Sequence, residues 1–108
     1  MAAPFLRDIA PALVSELQRL LMTCGEPALA AKAAGLSIVA LCPCGDGFCS
    51  TFYTGAQRSG SPAPGRHTIA LAPDAGILNV DVEGADILGV EILFRDELRV
   101  KIRGAVSR

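Results

Sequence analysis

Tryptophan is absent from this 108-residue chain, tyrosine occurs once and aromatic residues make up only 5% of it. A surface that stacks nucleic-acid bases needs several aromatic faces in series, so that class of partner is not expected. Basic residues give no surplus either: ten Lys and Arg stand against eleven Asp and Glu, for a net charge of −1. Binding to nucleic acid or to an anionic membrane surface normally shows as a basic face, and none is expected here. There is no apolar run of about 18 residues and no basic, apolar, small-residue leader, so neither a membrane span nor a signal peptide is expected. The expected compartment is cytoplasmic, where thiols usually stay reduced.

Histidine occurs once, at position 67. A serine or cysteine nucleophile needs a histidine beside it and a carboxylate to orient that histidine, so His67 would have to serve alone. No G-x-S-x-G, P-loop, H-E-x-x-H or calcium-loop pattern occurs. Catalytic residues are therefore not assigned.

What the chain does have is cysteine in one place. Three of its four cysteines fall in Cys42-Pro43-Cys44-Gly45-Asp46-Gly47-Phe48-Cys49. Asp46-Gly47 between two β-rich segments is a signal for a type I′ hairpin turn, which needs positive φ at both central residues. That turn pairs Gly45 with Phe48, Cys44 with Cys49, Cys42 with Thr51 and Leu41 with Phe52. Side chains alternate along a strand, so Val39, Leu41 and Phe52 take one face and Cys42, Cys44 and Cys49 the other. The sulfurs converge.

Three chemistries fit that convergence. Thiolates bind zinc at about 2.3 Å, so Cys42, Cys44 and Cys49 with a fourth ligand, His67 or Cys24, make a closed structural site. The C-x-C-x4-C spacing departs from the C-x2-C of common zinc knuckles. A Cys44–Cys49 bridge is the second chemistry, since residues facing across a hairpin lie within disulfide range, and it would serve thiol redox sensing. The third is inert packing, which free cysteines often perform.

The remaining pattern describes one α+β domain over residues 1–108. Residues 1–7 read as a loose tail, and a helix begins between Asp8 and Pro11, with Leu13, Leu17, Leu20, Leu21 and Cys24 on one apolar stripe. Cys24 is thereby expected to be buried. Gly25 ends this helix, Pro27 opens a second that runs to Ala34, and Gly35 reads as its cap. After the cysteine hairpin, the Gly, Ser and Pro cluster at 55–65 reads as a long exposed loop.

Strands follow at 68–72 and 77–82, and a three-residue loop, Gly84-Ala85-Asp86, pairs Val82 with Leu88, Val80 with Val90 and Leu78 with Ile92. Asp86 is expected in the left-handed position of that loop. Asp81, Glu83 and Glu91 form an outer row that reads as solvated surface rather than a hard-cation site. Residues 95–106 suit a strand or a helix; acidic residues at their start and basic ones later favour a short C-terminal helix. The expected architecture is an N-terminal helical hairpin on a mostly antiparallel sheet of about five strands.

The segments Cys42-Pro-Cys-Gly-Asp-Gly-Phe-Cys-Ser-Thr-Phe-Tyr-Thr54, Ile77-Leu-Asn-Val-Asp-Val82 and Gly89-Val-Glu-Ile-Leu93 resemble a family of small uncharacterised bacterial proteins with a CxCGxxFCxxFYT hairpin motif. The resemblance implies the fold and the unity of the motif, and it transfers no catalytic residue. The expected role is a binding or accessory module. A mean hydropathy of +0.42 in so short a chain adds the expectation of a protein partner or a homodimer to cover surplus apolar surface.

Overall fold

The computed structural model describes residues 3–54 and 66–106. The stretch 55–65, expected as a long loop, lies outside the described residues.

Proline sets the first break in the chain. Pro11 disfavours helical backbone at the residue before it, and Ala10 sits at φ −142° and ψ 70°. The helix expected near Asp8 is therefore two: α1, Leu6–Ile9, and α2, Pro11–Thr23, with Pro11 in the first turn, where its missing N–H costs nothing. Of residues 1–7, expected as a loose tail, 1–2 lie outside the described residues and 3–7 are not loose. Leu6 is fully buried, its N–H bonds the Leu36 carbonyl at 2.8 Å, and the Pro4 carbonyl accepts the Ile38 N–H at 2.8 Å. Burying one leucine side chain offsets part of the cost of ordering these residues.

Leu13, Val14, Leu17, Leu20 and Leu21 form the buried stripe of α2. Its end is a Schellman cap: Gly25 takes φ +76°, and the N–H groups of Gly25 and Glu26 return to the carbonyls of Met22 and Leu21. α3, Pro27–Ala33, packs against α2. Gly35 is not the left-handed cap expected of it; only Gly25, Gly45, Gly76, Gly84 and Phe94 have positive φ among the described residues. A bond from the Gly35 N–H to the Lys32 carbonyl closes α3 instead.

The sheet contains β1 (Ala40–Leu41), β2 (Phe52–Tyr53), β3 (Arg66–Ala70), β4 (Ile77–Glu83) and β5 (Asp86–Leu93), all antiparallel, in the order β1-β2-β5-β4-β3. β3 begins two residues before the expected 68–72 because pairing with β4 extends to Arg66 and Glu83. In the β4–β5 hairpin Val80 faces Val90 and Leu78 faces Ile92, as the hydrophobic pattern requires. Val82, however, pairs with Ile87 rather than Leu88. The turn is the two-residue Gly84-Ala85 with positive φ at Gly84 and not at Asp86. A register shift at Asp81/Val82 then restores the pattern. The bulge thus allows both a tight turn and an apolar inner face.

Leu78, Val80, Val82, Ile87, Val90, Ile92 and Phe52 meet the helices in one core, joined by Leu98 and Ile102. Those last two belong to α4, Asp96–Val106, which settles the ambiguous C-terminal segment as a helix. Arg95 anchors its start to α2 through two bonds of 3.0 Å to the Glu16 carboxylate. This is a paired fork that raises the guanidinium's affinity for its proton, and the same guanidinium holds the Glu97 carboxyl below its ordinary value. No described helix is long and apolar enough to cross a membrane.

Candidate functional site

The connection between β1 and β2 keeps the expected register at its base. Leu41 pairs with Phe52, and the Cys42 N–H bonds the Thr51 carbonyl at 3.0 Å. Beyond that the hairpin opens. Asp46-Gly47 does not form the type I′ turn: the positive φ is at Gly45, and the Cys49 N–H returns to the Asp46 carbonyl at 3.2 Å, which puts Gly47 and Phe48 in the middle of the turn. Two causes are visible. Pro43 has no N–H to give a ladder. The returning arm is also claimed by β5: Cys49 bridges Leu93, the Ser50 N–H bonds the Ile92 carbonyl, and the Phe94 N–H bonds the Phe48 carbonyl.

The sulfurs nevertheless meet. The Sγ atoms of Cys42, Cys44 and Cys49 lie within 4.8 Å of one another. Three thiolates around a tetrahedral zinc at about 2.3 Å would sit about 3.8 Å apart, so a small inward movement of the loop closes them on an ion. The three differ in depth: Cys49 is buried, Cys42 half-buried and Cys44 exposed, and none is in a disulfide. Val39, placed by alternation with Leu41 and Phe52, is instead 50% exposed, while Ile38 is buried.

Neighbouring groups make the sulfurs unequal. Burial resists ionisation of Cys49, but the Thr51 hydroxyl and backbone N–H donate to its sulfur, the Cys44 and Cys42 thiols add to them, and its pKa falls below the ordinary value. The Thr51 hydroxyl in turn accepts the Ile92 N–H at 3.1 Å, which fixes it between strand and sulfur. The Asp46 backbone favours a Cys44 thiolate, yet the competing Cys49 sulfur and desolvation outweigh it, and the Cys44 thiol is pushed up to about 11. Cys49 therefore ionises before Cys44, which keeps its proton as a donor to it. Burial and the Cys42 sulfur raise the Tyr53 phenol, which puts Tyr53 at the same cluster.

Arg103 of α4 completes the surroundings. Its guanidinium donates to the Cys49 carbonyl and to the Cys42 carbonyl, both at 3.4 Å, and so spans the two arms of the loop. Sequence reasoning missed it, because 54 residues separate it from Cys49 and no local pattern connects them. Thr51 was missed as a site residue too, although a hydroxyl two residues beyond Cys49 is at a spacing where Ser and Thr commonly bond nearby groups.

The two candidates for a fourth ligand are elsewhere. His67 lies on β3, at the far edge of the sheet, opposite Val82. Val82 faces Ile87, whereas Cys49 faces Leu93 at the other end of β5, so His67 is displaced by about 20 Å along the strands as well as across β4 and β5. Cys24 is the C-cap of α2 and is exposed, contrary to its expected burial. It follows the last helical residue, where the chain turns toward α3, so the stripe no longer faces the core there. Asp81 and Glu91 on the outer row are engaged by Arg66 at 2.8 Å and Asn79 at 2.7 Å. Among the described residues the three hairpin cysteines form the one group of metal-ligating type.

No protein-family model, curated protein or solved structure matches the chain.

Proposed function

We propose that the protein is a small cytoplasmic binding or accessory module whose working part is a metal site, with zinc held by Cys42, Cys44 and Cys49. The observation that carries this reading is the approach of three sulfurs to within 4.8 Å on a loop that contains little regular structure of its own. Metal binding would supply the ordering energy that such a loop lacks. The Thr51 N–H and hydroxyl support the thiolate charge, and Arg103 sets the spacing of the two arms. The experiment is elemental analysis of protein purified without an affinity metal, followed by zinc titration of the reduced chain. One equivalent is expected, and less than a few tenths, with no rebinding, would sink the reading.

A redox reading has its own support in the unequal pair Cys49 and Cys44, one easily ionised and one exposed beside it. In it the Cys49 thiolate would take the outer oxygen of a hydroperoxide, breaking its O–O bond and releasing an alcohol or water, and the Cys44 thiol would then condense with the resulting sulfenic acid to give the disulfide and water. Mass spectrometry of alkylated protein after mild peroxide would show that bond, and its absence would remove this reading.

A further inference from the structure

We propose that Cys42, Cys44 and Cys49 form a three-sulfur seat for a trivalent thiophilic metalloid of the arsenous acid class, bound without a fourth protein ligand. The inference rests on the reading that these cysteines act as one ligand set, and it names what that set is suited to hold.

Ligand number is the first argument. Residues 1–2, 55–65 and 107–108 contain no Cys, His, Asp or Glu, so every such side chain of this sequence lies among the described residues. Only Cys42, Cys44 and Cys49 gather. Zinc takes four ligands, so on these three sulfurs it would need a water or another non-protein group in the fourth position. Trivalent arsenic forms three bonds and keeps a lone pair where a fourth ligand would stand, and soft thiolates are the donors it prefers.

Charge is the second. Three thiolates around a divalent ion leave one negative charge, whereas three around a trivalent centre leave none. Cys49 is only 4% exposed, so residual charge there is costly unless it is paired. The guanidinium of Arg103 is close to the loop but is directed to the carbonyls of Cys42 and Cys49. A neutral complex avoids that cost. Access is the third: exposed Cys44, half-buried Cys42 and buried Cys49 form a graded entry in which the outer thiol can capture and the inner two can close.

The step balances. Arsenous acid and three thiols give the tris-thiolate and three waters. Three As–O bonds break, three As–S bonds form, each thiol proton leaves in a water molecule, and no electron is transferred.

The test uses the full chain, reduced and stripped of metal, titrated with arsenite and in parallel with zinc. One arsenic per chain is expected by mass spectrometry. Titratable thiols should fall from the four of the sequence to one, the survivor being Cys24. X-ray absorption should show three sulfur neighbours. Cys44→Ser should weaken arsenite binding at least tenfold, and Cys24→Ser should leave it unchanged; circular dichroism checks that both variants fold. Loss of only two thiols, or equal binding by Cys44→Ser, overturns the inference. Zinc bound without arsenite also overturns it and leaves the metal site standing, whereas failure of both ions overturns the site as well.

Discussion

The β4–β5 hairpin and the β1–β2 connection both reverse the chain through glycine, yet different forces hold them. β4 and β5 share a ladder of seven pairs, and the inner face of that ladder is the wall of the core. The β1–β2 ladder has two pairs. Above it the chain is held by groups that reach in from outside: Arg103 on the carbonyls of Cys42 and Cys49, the Thr51 hydroxyl between Ile92 and Cys49, and Phe48 stacked on Phe94 at 5.0 Å. The first is a product of burial, and its geometry follows from which residues are apolar. The second is a product of side-chain chemistry, and its geometry depends on partners far away in sequence. The three sulfurs gather in the second kind of structure, on a loop that distant side chains hold in place of a ladder.

The largest effect of a single substitution is expected in the core. Ile92 is fully buried on β5, so Ile92→Ala should cost about 3 kcal/mol from lost burial and the cavity left behind. Chemical denaturation should show this cost equally with and without chelator, and metal stoichiometry should not change. A loss of metal would mean that the two regions are energetically one.

Cys49→Ala should reach a similar total, most of it dependent on metal. At metal concentrations near 100 times the dissociation constant, a bound ion contributes about 2.7 kcal/mol, and the variant should lose most of that. In chelator the same change should cost about 1 kcal/mol, as a small truncation does. Cys42→Ala should behave alike, and the double variant should lose no more metal-dependent stability than either single one.

How much of this was legible in the sequence follows the same division. The pairs Val80/Val90 and Leu78/Ile92, the stripe of α2 and the acidic start of α4 were readable because burial imposes a period. Leu88 was misplaced because a bulge changes the register by one residue without disturbing the pattern on either side. The cysteine cluster was found by the right residues and the wrong route: Asp46-Gly47 carried the local signal for a tight turn, but Pro43 and the pull of β5 on Cys49 overruled it. Arg103 carried no signal, since only the docking of α4 brings it there. Pro4 and Leu6 were misread because nothing in a short terminal stretch announces that residues 36–38 will pair with it.

Arg103→Ala should have a smaller effect, confined to the loop. It removes two long hydrogen bonds to the arms of the loop, which together should be worth about 1 kcal/mol. Metal affinity should fall about tenfold, the lower end for groups that orient ligands. Arg103→Lys keeps the charge but cannot span both carbonyls, so it should recover little of that affinity.

Ionisation gives a finer test. In the reduced, metal-free chain, thiolate absorbance should resolve Cys49 below its ordinary value and Cys44 near 11. The Asp46 backbone lowers the Cys44 value and Cys49 raises it, so Cys49→Ser should let Cys44 ionise at lower pH. The sign for stability is that of a depressed acid: the contribution of Cys49 is present above its unfolded pKa and is lost as pH falls through the lower folded value. An unchanged Cys44 titration in Cys49→Ser would separate the two thiols.

The smallest effect is expected at the fourth cysteine, which makes Cys24 the control for the other three. It lies after the last residue of α2, exposed, and outside the group of three. Helical spacing from Leu17, Leu20 and Leu21 suggested a buried thiol, whose truncation would cost about 1 kcal/mol. At an exposed cap, where Gly25 and the Schellman bonds of the backbone end the helix, the side chain has little to lose. Cys24→Ala should therefore shift stability by less than about 0.5 kcal/mol, leave metal stoichiometry intact and add simply to Cys49→Ala. Thermal melts of the two single variants and the double variant, with and without chelator, measure all three. A chelator-sensitive shift in Cys24→Ala would bring Cys24 back as a ligand, and with it the prospect of a closed four-sulfur site.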